Sequence, residues 1–249
     1  MTSSLLTRLA GAAFALLGFA GHAAAGDIAR PVGVIELFTS QGCNSCPPAD
    51  ELFGEIAGRG EAVALAYHVD YWDYLGWRDT LGSPENTARQ RDYAKALGLN
   101  SVYTPQAIVN GRRHVNGADG AAVMQALKPR GELPVHIEVT RKGESIAIEA
   151  GAATGTVTEA SIVLVYFDPP KQVRIGRGEN GGRTITYWNA VTGVQAAGVW
   201  HGEPARFEMP LSEIMKKGAG GCAVLLQEPD EDGIPGAIIG AAMIRKPVR

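Results

Sequence analysis

Two cysteines separated by two residues, Cys43-Asn44-Ser45-Cys46, stand where an apolar run from Val32 to Phe38 gives way to a segment that reads as a helix. Strand, two cysteines three apart, then helix is the layout of a thiol–disulfide redox site. In the first turn of a helix, residues i and i+3 are neighbours, so two sulfurs can close a small ring with little backbone movement. The amides of Ser45 and Cys46, with the positive end of the helix dipole, would favour a thiolate at Cys43. Pro47 and Pro48 cost the helix no internal hydrogen bond in its first turn and so mark its start. The same spacing also suits a static disulfide, which exported proteins use freely, and half of a metal site built on two thiolates.

Ahead of this motif, Met1 to Ala25 has Arg8 near its front, an apolar stretch from Leu9 to Ala20, and small residues at Ala23 and Ala25. That pattern predicts a signal peptide over residues 1–25 and an exported protein, periplasmic or extracellular. The stretch is too short to cross a bilayer, and no later segment is both long enough and free of charge or turn residues, so no transmembrane segment is expected in the mature chain. Export removes one arginine and no acid, leaving 22 basic residues against 26 acidic ones, a net charge of −4 where the full chain has −3. No basic face is implied, which argues against nucleic acid as a partner. With three cysteines the chain is not a disulfide-dense miniature. If Cys43 and Cys46 pair, Cys222 is left over in an apolar run that reads as a buried strand, where a thiol is inert.

After the cysteines, Leu52, Phe53, Ile56 and Ala57 recur at helical spacing until Gly58 and Gly60, and Val63 to Val69 follows as a strand of buried type. Strand, helix, strand is the unit of a parallel sheet. Tyr71, Trp72, Tyr74 and Trp77 then crowd into seven residues, readable as a core plug under a loop or as an apolar groove beside the sulfurs. Ser83 and Pro84 open a second helix that Gly98 stops. Thr104-Pro105 directly precedes an apolar strand, Gln106 to Val109. Such a proline stands at a strand's beginning, and its peptide bond is a candidate for cis geometry. Asn110-Gly111 turns that strand into His114-Val115, and Ala118 to Lys128 closes the unit as a helix.

This order of elements resembles the thioredoxin superfamily. The resemblance implies that Thr104-Pro105 is cis and lies against the cysteines, that Cys43 attacks and Cys46 resolves, and that Glu36 is near the place of a buried carboxylate that takes the resolving thiol's proton. Under the period-2 rule Glu36 shares a strand face with Val34 and Phe38, a face that is either a buried layer or solvent. Two departures stand out: the loop Thr39-Ser40-Gln41-Gly42 is one residue longer than in thioredoxin, and Gly42 replaces the familiar tryptophan. Within the superfamily, the stretches Glu36 to Cys43, Val102 to Gln106 and Gly178-Glu179-Asn180 resemble one exported group, catalogued as domain of unknown function 1223.

From about Leu133 to Ile244 the chain turns to strand-length pieces between turn residues, which suggests an antiparallel β-sandwich. The expected fold is therefore an α/β thioredoxin-like domain with a helical insertion over residues 26–131, followed by an antiparallel β-sandwich-like domain over residues 132–249. Gly178 to Arg183 is too rich in glycine to pack a core and reads as a hairpin tip or docking loop, with none of the residues of a phosphate cradle. Asp230-Glu231-Asp232-Gly233 lacks the spaced oxygen ligands of a calcium loop and reads as a solvated turn. No cofactor is expected.

Two functions follow. One is a thiol–disulfide oxidoreductase acting on a protein or small-molecule disulfide or thiol, with a separate redox partner. The other is a carrier in which both thiolates and His68 or His114 hold a soft ion such as Cu(I). Thr104-Pro105 has no role in ligation, so the enzyme leads.

Overall fold

The computed structural model describes residues 28, 30–128, 133–217, 219–229 and 234–246. The expected signal peptide and the Asp230–Gly233 turn lie outside the described residues. Strand β1 (Val34–Thr39) and strand β2 (Val63–His68) are buried along their whole length and pair in parallel, with Val34 opposite Val63 and Thr39 opposite His68. Helix α1 (Pro47–Arg59) joins them. It begins on two prolines, whose missing amides would be unpaired there, and stops at Gly60, whose φ of 69° suits a residue without a Cβ. Its apolar face, Ala49, Phe53, Ile56 and Ala57, packs on Ile35 and Leu37 of β1.

A 3-10 turn, Asp73–Leu75, leads to helix α2 (Pro84–Ala96), where the Ser83 hydroxyl accepts from the Asn86 amide (3.2 Å) as an N-cap. Strand β3 (Gln106–Val109) lies antiparallel to β1 and turns through Asn110 and Gly111, at φ 51° and 64°, into β4 (Arg113–Asn116). Helix α3 (Gly120–Leu127) follows, capped by Asp119. The first sheet has the order β2-β1-β3-β4.

The rest of the chain forms β5 (Ile137–Lys142), β6 (Ser145–Ala150), β7 (Ala160–Phe167), β8 (Lys171–Arg174), β9 (Thr184–Tyr187), β10 (Val191–Trp200), β11 (Ala205–Pro210), α4 (Leu211–Lys217), β12 (Gly221–Pro229) and β13 (Pro235–Arg245). They build a four-stranded sheet in the order β10-β7-β12-β13, a three-stranded sheet β11-β6-β5, and the β8–β9 hairpin. The stretch from Thr184 to Val191 is divided between β9 and β10. Asn189 takes a φ of 47° between β9 and β10, and its side chain donates to the Ala64 carbonyl (2.8 Å).

These sheets overturn the expected fold class. Strands dominate the described residues, the four α-helices are short, and β1–β2 is the one parallel pair among the named strands; all other pairs are antiparallel. This is a predominantly β protein of several antiparallel sheets, not an α/β domain followed by a sandwich. The physical reason lies in the β10-β7-β12-β13 sheet, which is covered on both faces. Val163, Val165, Phe167, Ala223, Leu225 and Met243 meet Val34, Phe38, Leu65 and Tyr67 of the first sheet. Ile162, Leu164, Tyr166, Val224 and Leu226 meet Ile137, Ile146 and Ile148 of the three-stranded sheet. Strands buried on both faces need a cover on each, and the first sheet supplies one of them.

Candidate active site

Cys43 and Cys46 are joined by a disulfide, S–S 2.08 Å. Cys46 is the N-cap of α1, and its carbonyl accepts from the amides of Ala49 (2.8 Å) and Asp50 (3.0 Å). Both cysteines are buried, at 1% and 0% exposure, so neither sulfur is the more accessible while the ring is closed. Asn44 and Ser45 are the exposed residues of the motif. The Cys46 amide donates to the Cys43 carbonyl (3.2 Å), so one of the two amides expected at the Cys43 sulfur is engaged elsewhere.

Thr104-Pro105 is cis and stands opposite the cysteines. The Ser45 hydroxyl bridges the two segments, 3.5 Å from Cys43 Sγ and donating to the Thr104 carbonyl at 3.4 Å. Trp72 Nε1 donates to Thr104 Oγ1 (2.8 Å), and the Gly117 amide to the Pro105 carbonyl (3.0 Å). Gly42 permits the close approach of Trp72, because an added Cβ would lie 3.1 Å from Trp72 Cβ and 3.2 Å from its carbonyl oxygen. The crowded aromatics divide their roles. Tyr71, Trp72 and Trp77 act as struts, bonded to Gln90, Thr104 and Gln41, whereas Tyr74 is 77% exposed.

Glu36 is fully buried, on the sheet face of Val34 and Phe38. Helix α1 covers the other face, with Ile35 and Leu37. The Glu36 carboxylate is paired with Arg89 of α2 (2.7 Å) and accepts from the Tyr93 hydroxyl; Arg89 reaches on to Gln227 of β12 (3.1 Å). Glu36 thus ties β1 to α2 and, through Arg89, to β12, and both of its carboxylate oxygens are engaged there.

The acid on the cysteine side is Asp50, one helical turn after Cys46. The periodicity that turns Phe53 and Ala57 inward turns Asp50 inward too, and it is 3% exposed. Its Oδ1 accepts from Thr39 Oγ1 (2.8 Å), while Oδ2 has no hydrogen-bond partner. Burial raises its carboxyl to about 7, against the opposing pull of His68 and the Thr39 hydroxyl. His68 Nδ1 and Asp79 Oδ2 lie 2.9 Å apart with both side chains buried. Burial works against charge on each, but their mutual attraction and hydrogen bonds win, so the imidazole is held above and the carboxyl below its ordinary value. Asp50 therefore has an ion pair beside it, and the Tyr187 ring stands edge-on to His68 at 4.7 Å.

The same Asp79 carboxylate accepts from the Gln41 amide (2.7 Å). The Gln41 side chain is held by Trp77 Nε1 (2.8 Å) and Thr80, and its carbonyl by Asn180 Nδ2 (3.0 Å). Asn180 also donates to the Cys43 carbonyl (2.8 Å) and is 1% exposed. The Gly178–Arg183 stretch is accordingly a docking loop, and the loop before Cys43 is fastened from two segments, residues 77–80 and the loop of Asn180. Asp50 and Asp79 belong to none of the sequence motifs, and Asn180 enters only as part of the Gly178-Glu179-Asn180 stretch. An acid at i+4 from Cys46 on the apolar helix face was the available signal for Asp50.

Both histidines weighed for soft-metal binding have other partners, His68 in Asp79 and His114 in the Tyr103 hydroxyl (3.0 Å). Among the described residues, no three His, Cys, Asp or Glu side chains come together as a metal site. Cys222 is fully buried, and burial pushes its thiol up to about 12. Among the described residues, no helix is long and apolar enough to cross a membrane.

No curated protein matches the chain. Among solved structures it is similar to protein AGR_C_4864 from Agrobacterium tumefaciens, at 43% identity and a TM-score of 0.78, over 88% of this chain and 97% of that one. It is also similar to HBP35 of Porphyromonas gingivalis, with a TM-score of 0.54 over 87% of this chain and 75% of that one; at 13% identity this likeness concerns the fold alone. Residues 34–227, from β1 into β12 and including both cysteines, Thr104-Pro105 and Asn180, match the family described as protein of unknown function, DUF1223, and the chain belongs to that family.

Proposed function

We propose that the protein is an exported thiol–disulfide oxidoreductase whose exchange site, Cys43 and Cys46 opposite Thr104-Pro105, is of the kind used in the thioredoxin superfamily. The observation that carries this reading is the bridge of Ser45 between the Cys43 sulfur and the Thr104 carbonyl, which sets a closed disulfide at a helix start against a proline-held loop. The Cys43 thiolate attacks a substrate disulfide, forming a mixed disulfide and releasing the first substrate thiolate. Cys46, its proton passed to Asp50, attacks the Cys43 sulfur, expels the second substrate thiolate and closes the ring. The same steps in reverse oxidise a substrate dithiol. Asp50 suits the proton's acceptor because a carboxyl raised to about 7 exchanges protons near neutral pH. Thr104, Pro105, Trp72 and Asn180 position the reacting segment.

Equilibration of the native protein in dithiothreitol buffers of graded poise, with the free thiols counted by alkylation and mass, tests the reading. A reversible two-electron midpoint, together with reduction of a peptide disulfide by the reduced form, is the expected result. A ring that opens only when the protein unfolds would make it a structural disulfide. Intact mass of protein taken from the cell envelope tests export, with Gly26 expected as the first residue and a retained Met1 counting against it.

A further inference from the structure

A groove of about 520 Å³ runs between α1 and the β8–β9 hairpin, beginning at Pro47, the residue after Cys46. Three carboxyl groups line it, Asp50, Glu51 and Glu55, and none of its lining residues is Lys, Arg or His. Glu51 and Glu55 are four apart on one helix, a like-charge spacing that destabilises an isolated helix. Arg59 relieves Glu55 only in part, through an exposed pair at 3.4 Å. Asp50 lies in the floor, buried, with Oδ2 lacking a hydrogen-bond partner. One wall is Trp188, drawn against α1 where Gly54 leaves room; a Cβ there would stand 2.8 Å from Trp188 Cδ1.

We propose that this groove receives a Lys or Arg side chain from the polypeptide whose disulfide or thiol meets Cys43. The aliphatic stem would lie along Trp188 and Pro47, with the cation beside the Trp188 ring and near Glu51 and Glu55. An acidic groove next to the exchanging sulfurs raises the encounter rate of cationic polypeptides and leaves neutral small disulfides unaffected. The proposal names the substrate class of the exchange site and rests on the thiol–disulfide reading.

The test compares two peptides with the same single disulfide, flanked by Lys and Arg or by Gln, and hydroxyethyl disulfide as a small neutral substrate. At low ionic strength the reduced protein should favour the cationic peptide on the order of tenfold in kcat/KM, and added salt should erase the preference. Glu51→Gln with Glu55→Gln should bring both peptides within about twofold and leave hydroxyethyl disulfide unchanged. Equal rates for the two peptides with wild type, or a preference untouched by the double substitution, overturns the groove and leaves the redox reading standing. If no disulfide reacts at all, the redox reading falls. A cysteine-free Lys/Arg peptide titrated calorimetrically then decides the groove alone: binding weakened by the double substitution supports it, and absent or unweakened binding overturns it.

Discussion

Asn180 and Cys43, distant in the chain, are joined by a buried hydrogen bond of 2.8 Å from the Asn180 amide group to the Cys43 carbonyl, and the same group also donates to Gln41 at 3.0 Å. One side chain from the β-rich half thereby fixes the backbone that carries the Cys43 sulfur. Replacing Asn180 by alanine leaves two carbonyls without that donor, a loss of about 1–3 kcal/mol. Chemical denaturation should show that loss, and Cys43 of the reduced variant should alkylate faster than in wild type. Wild-type stability and an unchanged alkylation rate would mean that the loop holds itself.

Local signals made part of the site legible. Cys43 and Cys46 at helix spacing, the Ser83 cap, the Asn110-Gly111 turn and Thr104-Pro105 each act over a few residues, where composition and geometry are tightly coupled. Asn180 meets Gln41 across 139 residues, a pairing that no local pattern encodes. Glu36 illustrates a different limit: its alternation with Val34 and Phe38 correctly implied a shared face but did not say which layer that face meets. The two-sided burial of the β10-β7-β12-β13 sheet escaped for a related reason. The unbroken run Ala160-Ser161-Ile162-Val163-Leu164-Val165-Tyr166-Phe167 signals burial on both faces, which a two-layer sandwich does not provide.

Glu36→Gln should be costly to the fold and silent in the chemistry. It removes the charge facing Arg89, whose side chain is only 11% exposed, and breaking such a buried pair costs about 3 kcal/mol. The denaturation midpoint should fall, while the pH dependence of disulfide exchange should match wild type. A shifted exchange profile would restore Glu36 as the proton acceptor.

Asp50 should leave a signature in stability. Its carboxyl is raised from 3.8 to about 7, so between those values the folded protein keeps a proton that the unfolded chain has released. Stability therefore declines as pH rises through that window and levels off above it, the full cost being at most about 4 kcal/mol at 1.36 per unit. Asp50→Asn keeps an acceptor for Thr39 and removes the charge. Its Tm advantage over wild type should be absent near pH 4, widen toward pH 7 and then hold. A Tm difference independent of pH would mean that Asp50 is ionised throughout. In exchange kinetics the same variant should lose an inflection near neutrality from the step in which Cys46 closes the ring.

The order of the two thiols follows from where each sulfur stands. In the closed ring both cysteines are buried, so exposure does not rank them; position does. Cys43 precedes α1 and lies against the Ser45 hydroxyl and the exposed Asn44-Ser45 edge, whereas Cys46 caps the helix with Asp50 one turn behind it. When the ring opens, the helix start favours the Cys43 thiolate, and the Ser45 hydroxyl can donate to it. Cys43 should therefore attack first. In Cys46→Ser nothing resolves the mixed disulfide, so the variant should accumulate as a covalent adduct with a disulfide substrate, and Cys43→Ser should trap little. Limiting iodoacetamide near pH 6 on reduced wild type, followed by peptide mass mapping, should find the label on Cys43. Cys222 should stay unmodified, because its buried thiol is pushed up to about 12. Preferential labelling of Cys46 would reverse the roles, and a reduced protein in which neither thiol reacts faster than Cys222 would count against a working exchange site.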